Sequence, residues 1–236
     1  MTAALIRLSV AMPCFCLLAA GSLGAQSSLL VGISPEVSWN IVEHTKQVTI
    51  GGGSSTSASE ASGVGMAANV FGELRRAVAG GSMEVGVALS AIVPARRSIE
   101  GTIDPTSSGE AHDVWPGRWE FRDRFGAGGA FRAGWRLGSG GSRISAVLGT
   151  RAMWSEFATG GTNPVTGVAG EDRTRLRRWP AIMGVGLSLD SRWPLDLQVA
   201  YSRSLTNWVI SLPDLGLDYD YIVTGLTFTV RTWIAR

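Results

Sequence analysis

The stretch from Trp119 to Leu137 constrains the fold more than any other part of the chain. Its odd positions are Trp119, Phe121, Asp123, Phe125, Ala127, Gly129, Phe131, Ala133, Trp135 and Leu137. Its even positions are Glu120, Arg122, Arg124, Gly126, Gly128, Ala130, Arg132, Gly134 and Arg136. The first row is apolar apart from Asp123; the second holds only small and charged residues. A helix would mix these rows, whereas a β-strand sends successive side chains to opposite faces. The stretch is therefore expected to form one long strand with a greasy face and a face of glycine and ions.

The same alternation recurs along the chain. A first strand is expected over Leu29 to Ile41, with Pro35 on its apolar row, where it removes one ladder donor. Others are expected over Gly63 to Leu74, from Met83 to Val93, from Ile144 to Ser155, from Trp179 to Leu189, from Leu195 to Ser202 and over Tyr219 to Trp233, giving eight strands in all. Val42 to Ser62, Pro94 to Arg118, Glu156 to Arg178 and Asn207 to Asp218 read as long loops. The first is rich in Gly, Ser and Thr and is expected to be mobile. Arg75 to Ser82, Gly138 to Ser142 and Asp190 to Pro194 read as short turns. Long and short connections alternate, as in an up-and-down barrel with one loop side and one turn side.

The first 25 residues read as a secretory signal. Arg7 supplies a positive start, Leu8 to Ala20 is an apolar run too short to span a bilayer, and cleavage is expected after Ala25, with Gly21 as the alternative. Both cysteines, Cys14 and Cys16, fall inside this segment, so residues 26–236 are expected to carry no disulfide and no thiolate metal site. The net charge of residues 26–236 is near +1, which does not point to nucleic acid. Lys46 is the only lysine. A soluble β-protein covers its water-facing surface with Lys and Glu. No later stretch is long enough for a membrane helix, so a membrane form of this chain has to be a closed barrel.

Alternation alone leaves open whether the apolar row faces lipid or encloses a ligand, as in a secreted calycin-like barrel. Three features favour lipid. The other row is mostly Gly, Ala and Ser, which suits the narrow lumen of eight strands. Its charges are mixed in sign, and buried charges require partners: Glu36, Glu73, Glu84, Glu120 and Asp196 against Arg122, Arg124, Arg132, Arg136 and Arg151. Aromatic residues cluster at strand ends, with Trp39, Trp119, Phe121, Phe125, Trp154 and Trp179 toward the loops and Trp135, Trp193 and Trp233 toward the turns, as in two girdles. The expected fold is all-β: an eight-stranded antiparallel up-and-down transmembrane β-barrel.

On this pattern the chain resembles the small eight-stranded outer-membrane barrels, of the outer membrane protein A transmembrane-domain and opacity-protein type. Its last strand, Gly225-Leu226-Thr227-Phe228-Thr229-Val230, is similar to that family's assembly signal, but the chain runs past Trp233 to Ile234-Ala235-Arg236. The resemblance implies a monomer in a Gram-negative outer membrane, inserted by the barrel-assembly machinery, in contact with outer-membrane lipid and lipopolysaccharide, and without a cofactor. Some barrels of this size are lipid A-modifying enzymes, with a His and Ser pair near the outer leaflet. Here His44 and His112 both fall in expected loops and read as solvated side chains rather than catalytic or metal-binding groups. A lipid A-modifying enzyme and a small-solute channel stay open as alternatives. Finally, Arg173, Arg175 and Arg177 precede Trp179 at spacing two and continue its outward row, with Arg203 outward on the next strand. These guanidinium groups are candidates for lipopolysaccharide phosphate contacts.

Overall fold

The computed structural model describes residues 27–95, 97–105, 114–163, 166–189, 195–205, 208–212 and 216–235. The expected signal segment, His112, Trp193 and the turn at 190–194 lie outside these residues.

The chain forms β1 (Ser27–Ile50), β2 (Gly53–Val78), β3 (Met83–Pro94), β4 (Ile99–Ile103), β5 (Gly117–Arg136), β6 (Arg143–Thr162), β7 (Ala169–Arg178), β8 (Pro180–Leu189), β9 (Leu195–Ser204), β10 (Trp208–Leu212) and β11 (Leu217–Ala235). All pairings are antiparallel. β1, β2, β3, β5, β6, β8, β9 and β11 follow one another around a ring of eight, and β11 returns to β1. No sheet edge is left in this ring, as a wall in lipid requires. Its outer face carries the exposed apolar row, including Leu29, Ile33, Trp39, Val70, Leu89, Phe131, Leu148, Met183, Val199 and Phe228.

The expected long loops are largely strands. Val42 to Ser62 is not a mobile loop: every residue from Ser27 to Ile50 pairs with one between Gly53 and Arg76. The turn is only Gly51 and Gly52, at φ 61° and 86°, the left-handed region that a two-residue hairpin link needs. β4, β7 and β10 extend the wall in the same direction, on β5, β6 and β11 respectively. Above the ring the wall is thus two four-stranded sheets, β2-β1-β11-β10 and β4-β5-β6-β7, with no ladder joining β7 to β10 among the described residues.

These two sheets close on each other around an apolar core. Val42 and Val48 of β1 and Tyr221 and Val223 of β11 meet Ile103, Trp119, Phe121, Phe157 and Leu176 from the opposite sheet. The molecule has a lower storey with a lipid-facing wall and an upper storey with an ordinary hydrophobic core.

Irregularities on β5 and β1 shape the wall, besides a register shift at Val31 and Gly32 near the end of the β1–β11 ladder. On β5 the register shifts between Asp123 and Phe125, leaving Arg124 as an extra residue opposite β6. A bulge of this kind reverses which row faces in. Below it the odd row points outward; above it Asp123, Phe121 and Trp119 point inward. On β1 the ladder to β11 runs from Ile33 directly to Glu36, skipping Ser34 and Pro35. Pro35 therefore sits where its missing N–H breaks no ladder bond to β11.

Candidate functional site

The lumen of the lower storey is filled by ion pairs in three tiers. Nearest the turns, Glu73 takes the Arg75 Nε–H at 2.6 Å and an Arg231 Nη2–H at 2.5 Å. Asp196, wholly buried, is bonded by Arg132 and faces Arg75 at 3.5 Å and Arg231 at 3.6 Å. Arg132 also donates to Gln198 Oε1 at 3.1 Å. Glu84, closer to the rim, lies 3.4 Å from Arg75 and 3.8 Å from Arg143. In the middle tier Arg151 bonds Glu36 with both Nη atoms, at 2.7 and 2.6 Å, and Asn69 donates to the same carboxylate at 3.1 Å. Highest, Arg178 bonds Asp123 at 2.5 Å and 3.2 Å, and Ser155 Oγ donates to Asp123 at 2.6 Å. Such side chains project inward because they occupy the row opposite the lipid-facing one.

The network differs in membership from the sequence expectation. Glu36, Glu73, Glu84, Arg132, Arg151 and Asp196 lie in the lumen. Glu120, Arg122 and Arg124 do not, because the bulge turns them to the outer wall. Arg136 is exposed at the end of β5 and makes no ion pair among the described residues. Arg75, Arg178, Arg231 and Asp123 belong to the network but were not expected in it. The girdle is corrected for the same reason. Trp119 and Phe121 are 1% and 3% exposed and belong to the upper core, whereas Trp39, Phe125, Trp135 and Trp179 face outward and exposed. Trp154 faces outward with them, its ring stacked on Phe125 with centroids 4.4 Å apart. Trp233, by contrast, is not a girdle residue: it continues the inward row of Thr229 and Arg231 on β11, and the lumen residue Arg75 sits over it, 5.1 Å from the ring centroid.

Two small cavities of about 60 and 70 Å³ flank the middle tier, and both are lined by Glu36 and Arg151. Each has room for a few waters and for nothing larger.

Above the lumen, His44 is not a loop residue. It is 1% exposed on β1 and stacks on Phe157 at 5.4 Å, with Trp119 at 5.7 Å and Tyr219 at 6.1 Å. Burial, assisted by the nearby Lys46 charge, lowers its pKa from 6.5 to about 4, so the ring is neutral at pH 7. Trp119 anchors the same core by donating from Nε1 to Ser59 Oγ at 2.9 Å. Its indole lies across Gly101, where a β-carbon would collide with the ring.

On the outer wall, directly above the Phe125–Trp154 stack, charged side chains of β5, β6 and β7 converge. Glu156 is bonded by Arg124, with Arg122 at 3.5 Å and Arg173 at 3.8 Å. The hydrogen bond from Arg124 holds its carboxyl below the usual range. Arg173, Arg175 and Arg177 all face outward and exposed on β7, and Arg203 does so on β9. No group of three or more His, Cys, Asp and Glu side chains suited to a metal occurs among the described residues.

No family model and no curated protein matches this sequence. Among solved structures the chain is similar to the outer membrane protease OmpT from Escherichia coli, at 8% identity over 91% of this chain and 99% of that one, with a TM-score of 0.47. It is similar to Neisserial surface protein A at 10% identity over 85% and 97%, with a TM-score of 0.31. It is similar also to Ail, the attachment invasion locus protein of Yersinia pestis, at 9% identity over 82% and 97%, with a TM-score of 0.25. These likenesses carry no argument at such scores; the barrel stands on the closed strand order.

Proposed function

We propose that this chain is a non-enzymatic outer-membrane barrel with a sealed lumen, whose upper storey stands outside the membrane and serves envelope structure or surface interaction. The lumen carries this reading. Three tiers of paired charges occupy it, and the space left beside Glu36 and Arg151 amounts to about 60 and 70 Å³. Paired charges on opposite walls of an eight-stranded ring act as struts, since that ring is just wide enough for its own side chains. The upper storey is closed in a second way, by Trp119, Phe121, Phe157 and Tyr221. His44 belongs to that packing; a neutral imidazole stacked among aromatic rings is out of reach of a lipid ester, which argues against hydrolysis through His44.

The test is single-channel recording on the purified full chain in planar bilayers. The expected record is flat. Steady ohmic conductance from the unaltered protein would favour the small-solute channel and overturn the sealed-lumen reading.

A further inference from the structure

Above the girdle the outer wall bears Arg118, Arg122 and Arg124 on β5 and Arg173, Arg175 and Arg177 on β7, the two strands either side of β6. Arg122 and Arg175 are both directly opposite Glu156 in the ladders. The carboxylates of this face are Glu120, Glu156 and Glu171, with Glu100 opposite Glu120 on β4. Glu171 accepts from Arg173 Nε at 2.7 Å, and Glu120 is 3.6 Å from Arg122. Arg175 and Arg177 have no carboxylate within ion-pair distance among the described residues. The face therefore keeps an excess of positive charge, concentrated on Arg175 and Arg177 of β7.

Their height identifies the ligand. The Arg177 guanidinium lies 5.9 Å from the ring of Trp154, which is itself stacked on Phe125. Girdle aromatics mark the boundary between acyl chains and headgroups. Arg175 and Arg173 follow at two-residue steps, roughly 6–7 Å apart along the strand. A headgroup beside this wall meets a row of planar donors climbing from its acyl end. Guanidinium pairs bidentately with phosphate oxygens, and it gives up its hydration more readily than ammonium does.

We propose that this face binds the phosphorylated sugar headgroup of an outer-leaflet glycolipid. Arg175 and Arg177 make the primary contacts. Arg122, Arg124 and Arg173 widen the positive field, and Glu156 is the internal counter-ion that holds those three in a fixed fan. The proposal rests on the reading of the chain as an outer-membrane barrel. Arg203, outward on β9, stands apart from this fan and is not part of it.

The experiment uses the full chain in detergent micelles with EDTA, so that no divalent cation can bridge. Diphosphorylated lipid A, the same lipid dephosphorylated, and inorganic phosphate are titrated separately, with quenching of tryptophan fluorescence and the thermal midpoint as readouts. The expected result is saturable binding and a raised midpoint with the phosphorylated lipid alone. Arg175→Gln with Arg177→Gln weakens that binding at least about tenfold. Arg175→Lys with Arg177→Lys retains charge but loses the fork, and falls between the two. Equal responses to both lipids overturn the proposal, as does an equal response to inorganic phosphate, and so does full affinity in the Gln variant. If the double Gln variant fails to fold, Arg177→Gln alone serves, with the same loss expected in smaller degree. Heat-modifiable gel mobility is followed in parallel. If it persists while lipid binding fails, only the lipid site is refuted; if it is absent in the unaltered chain, the barrel reading itself fails.

Discussion

The two storeys are built from the same strands with opposite polarity. Below the girdle the wall is greasy and the interior charged; above it the wall is charged and the interior greasy. β1 makes the change without altering which row faces in. Its inward row runs Gly32, Ser34, Glu36 and Ser38, then becomes Val42, His44 and Val48, while its outward row passes from Val37, Trp39 and Ile41 to Glu43, Thr45 and Gln47. β5 makes it by swapping rows at Arg124, so one continuous apolar row serves as lipid surface below and as core above. The medium outside the wall decides which face has to be apolar. A strand can answer that by changing residue types on a fixed row or by changing which row faces in.

If the lower storey is held by its charges and the upper by its core, mutations should separate them. The largest effect is expected from Asp196→Ala, which strands Arg75, Arg132 and Arg231 against one another in a buried site. A loss of about 5 kcal/mol should appear as a lowered urea midpoint in micelles, because removing one member leaves the other charges uncompensated. An unchanged midpoint would mean that the network contributes no stability. Arg132→Ala should act similarly, and Glu84→Ala less, since Glu84 is nearer the rim.

Phe157→Ala should cost about 3–4 kcal/mol, but only above the girdle. Hydrogen exchange should accelerate at 42–60 and 117–122 while the lower strands stay protected. Uniform acceleration would merge the storeys into one cooperative unit.

Acid should act on the upper storey through His44. The folded pKa is depressed from 6.5 to about 4, so the unfolded chain takes up a proton in that window and the folded one does not. The stabilisation held above pH 6.5 is thus lost as pH falls to about 4, on the order of 3 kcal/mol. His44→Phe should flatten this pH dependence in the same exchange experiment; a slope that survives the change assigns it elsewhere.

The smallest effect is expected from Gly101→Ala, which pushes a methyl group into the Trp119 ring. It should cost about 1–3 kcal/mol. A shift confined to the exchange of β4 and β5 would locate the strain; no shift would mean the indole has room to turn.

Much of this was legible beforehand. The alternating rows of β3, β6, β8, β9, β11 and the lower parts of β1 and β2 follow directly from residue type, and with them the inward placement of Glu36, Glu73, Arg151 and Asp196. What failed did so for physical reasons. Arg124 looks like any other even position, and only its lack of a partner in β6 makes it a bulge; Asp123, a lone charge on a greasy row, was the trace it left. The β1–β2 tip read as a loop because Ser and Thr line an outer face that water, not lipid, covers. The signal there was the pair Gly51-Gly52 between two alternating runs, with Val42, His44 and Val48 in one phase. Arg178 was missed because it was assigned to a loop that is in fact β7, and Arg75 because it was assigned to a turn.

The β1–β2 hairpin also implies an order of events in time. Its two arms are joined by two glycines, so its tip forms after the loss of very little chain entropy and can zip downward residue by residue. The β1–β11 ladder joins Val31 to Ala235, nearly the two ends of the described chain, and rewards closure only after every strand between them is in place. The interruption at Ser34 and Pro35 lies on this ladder, so the last seam to close is also the one with a gap in its hydrogen bonds. A barrel arranged this way keeps its entry point open until its far end arrives.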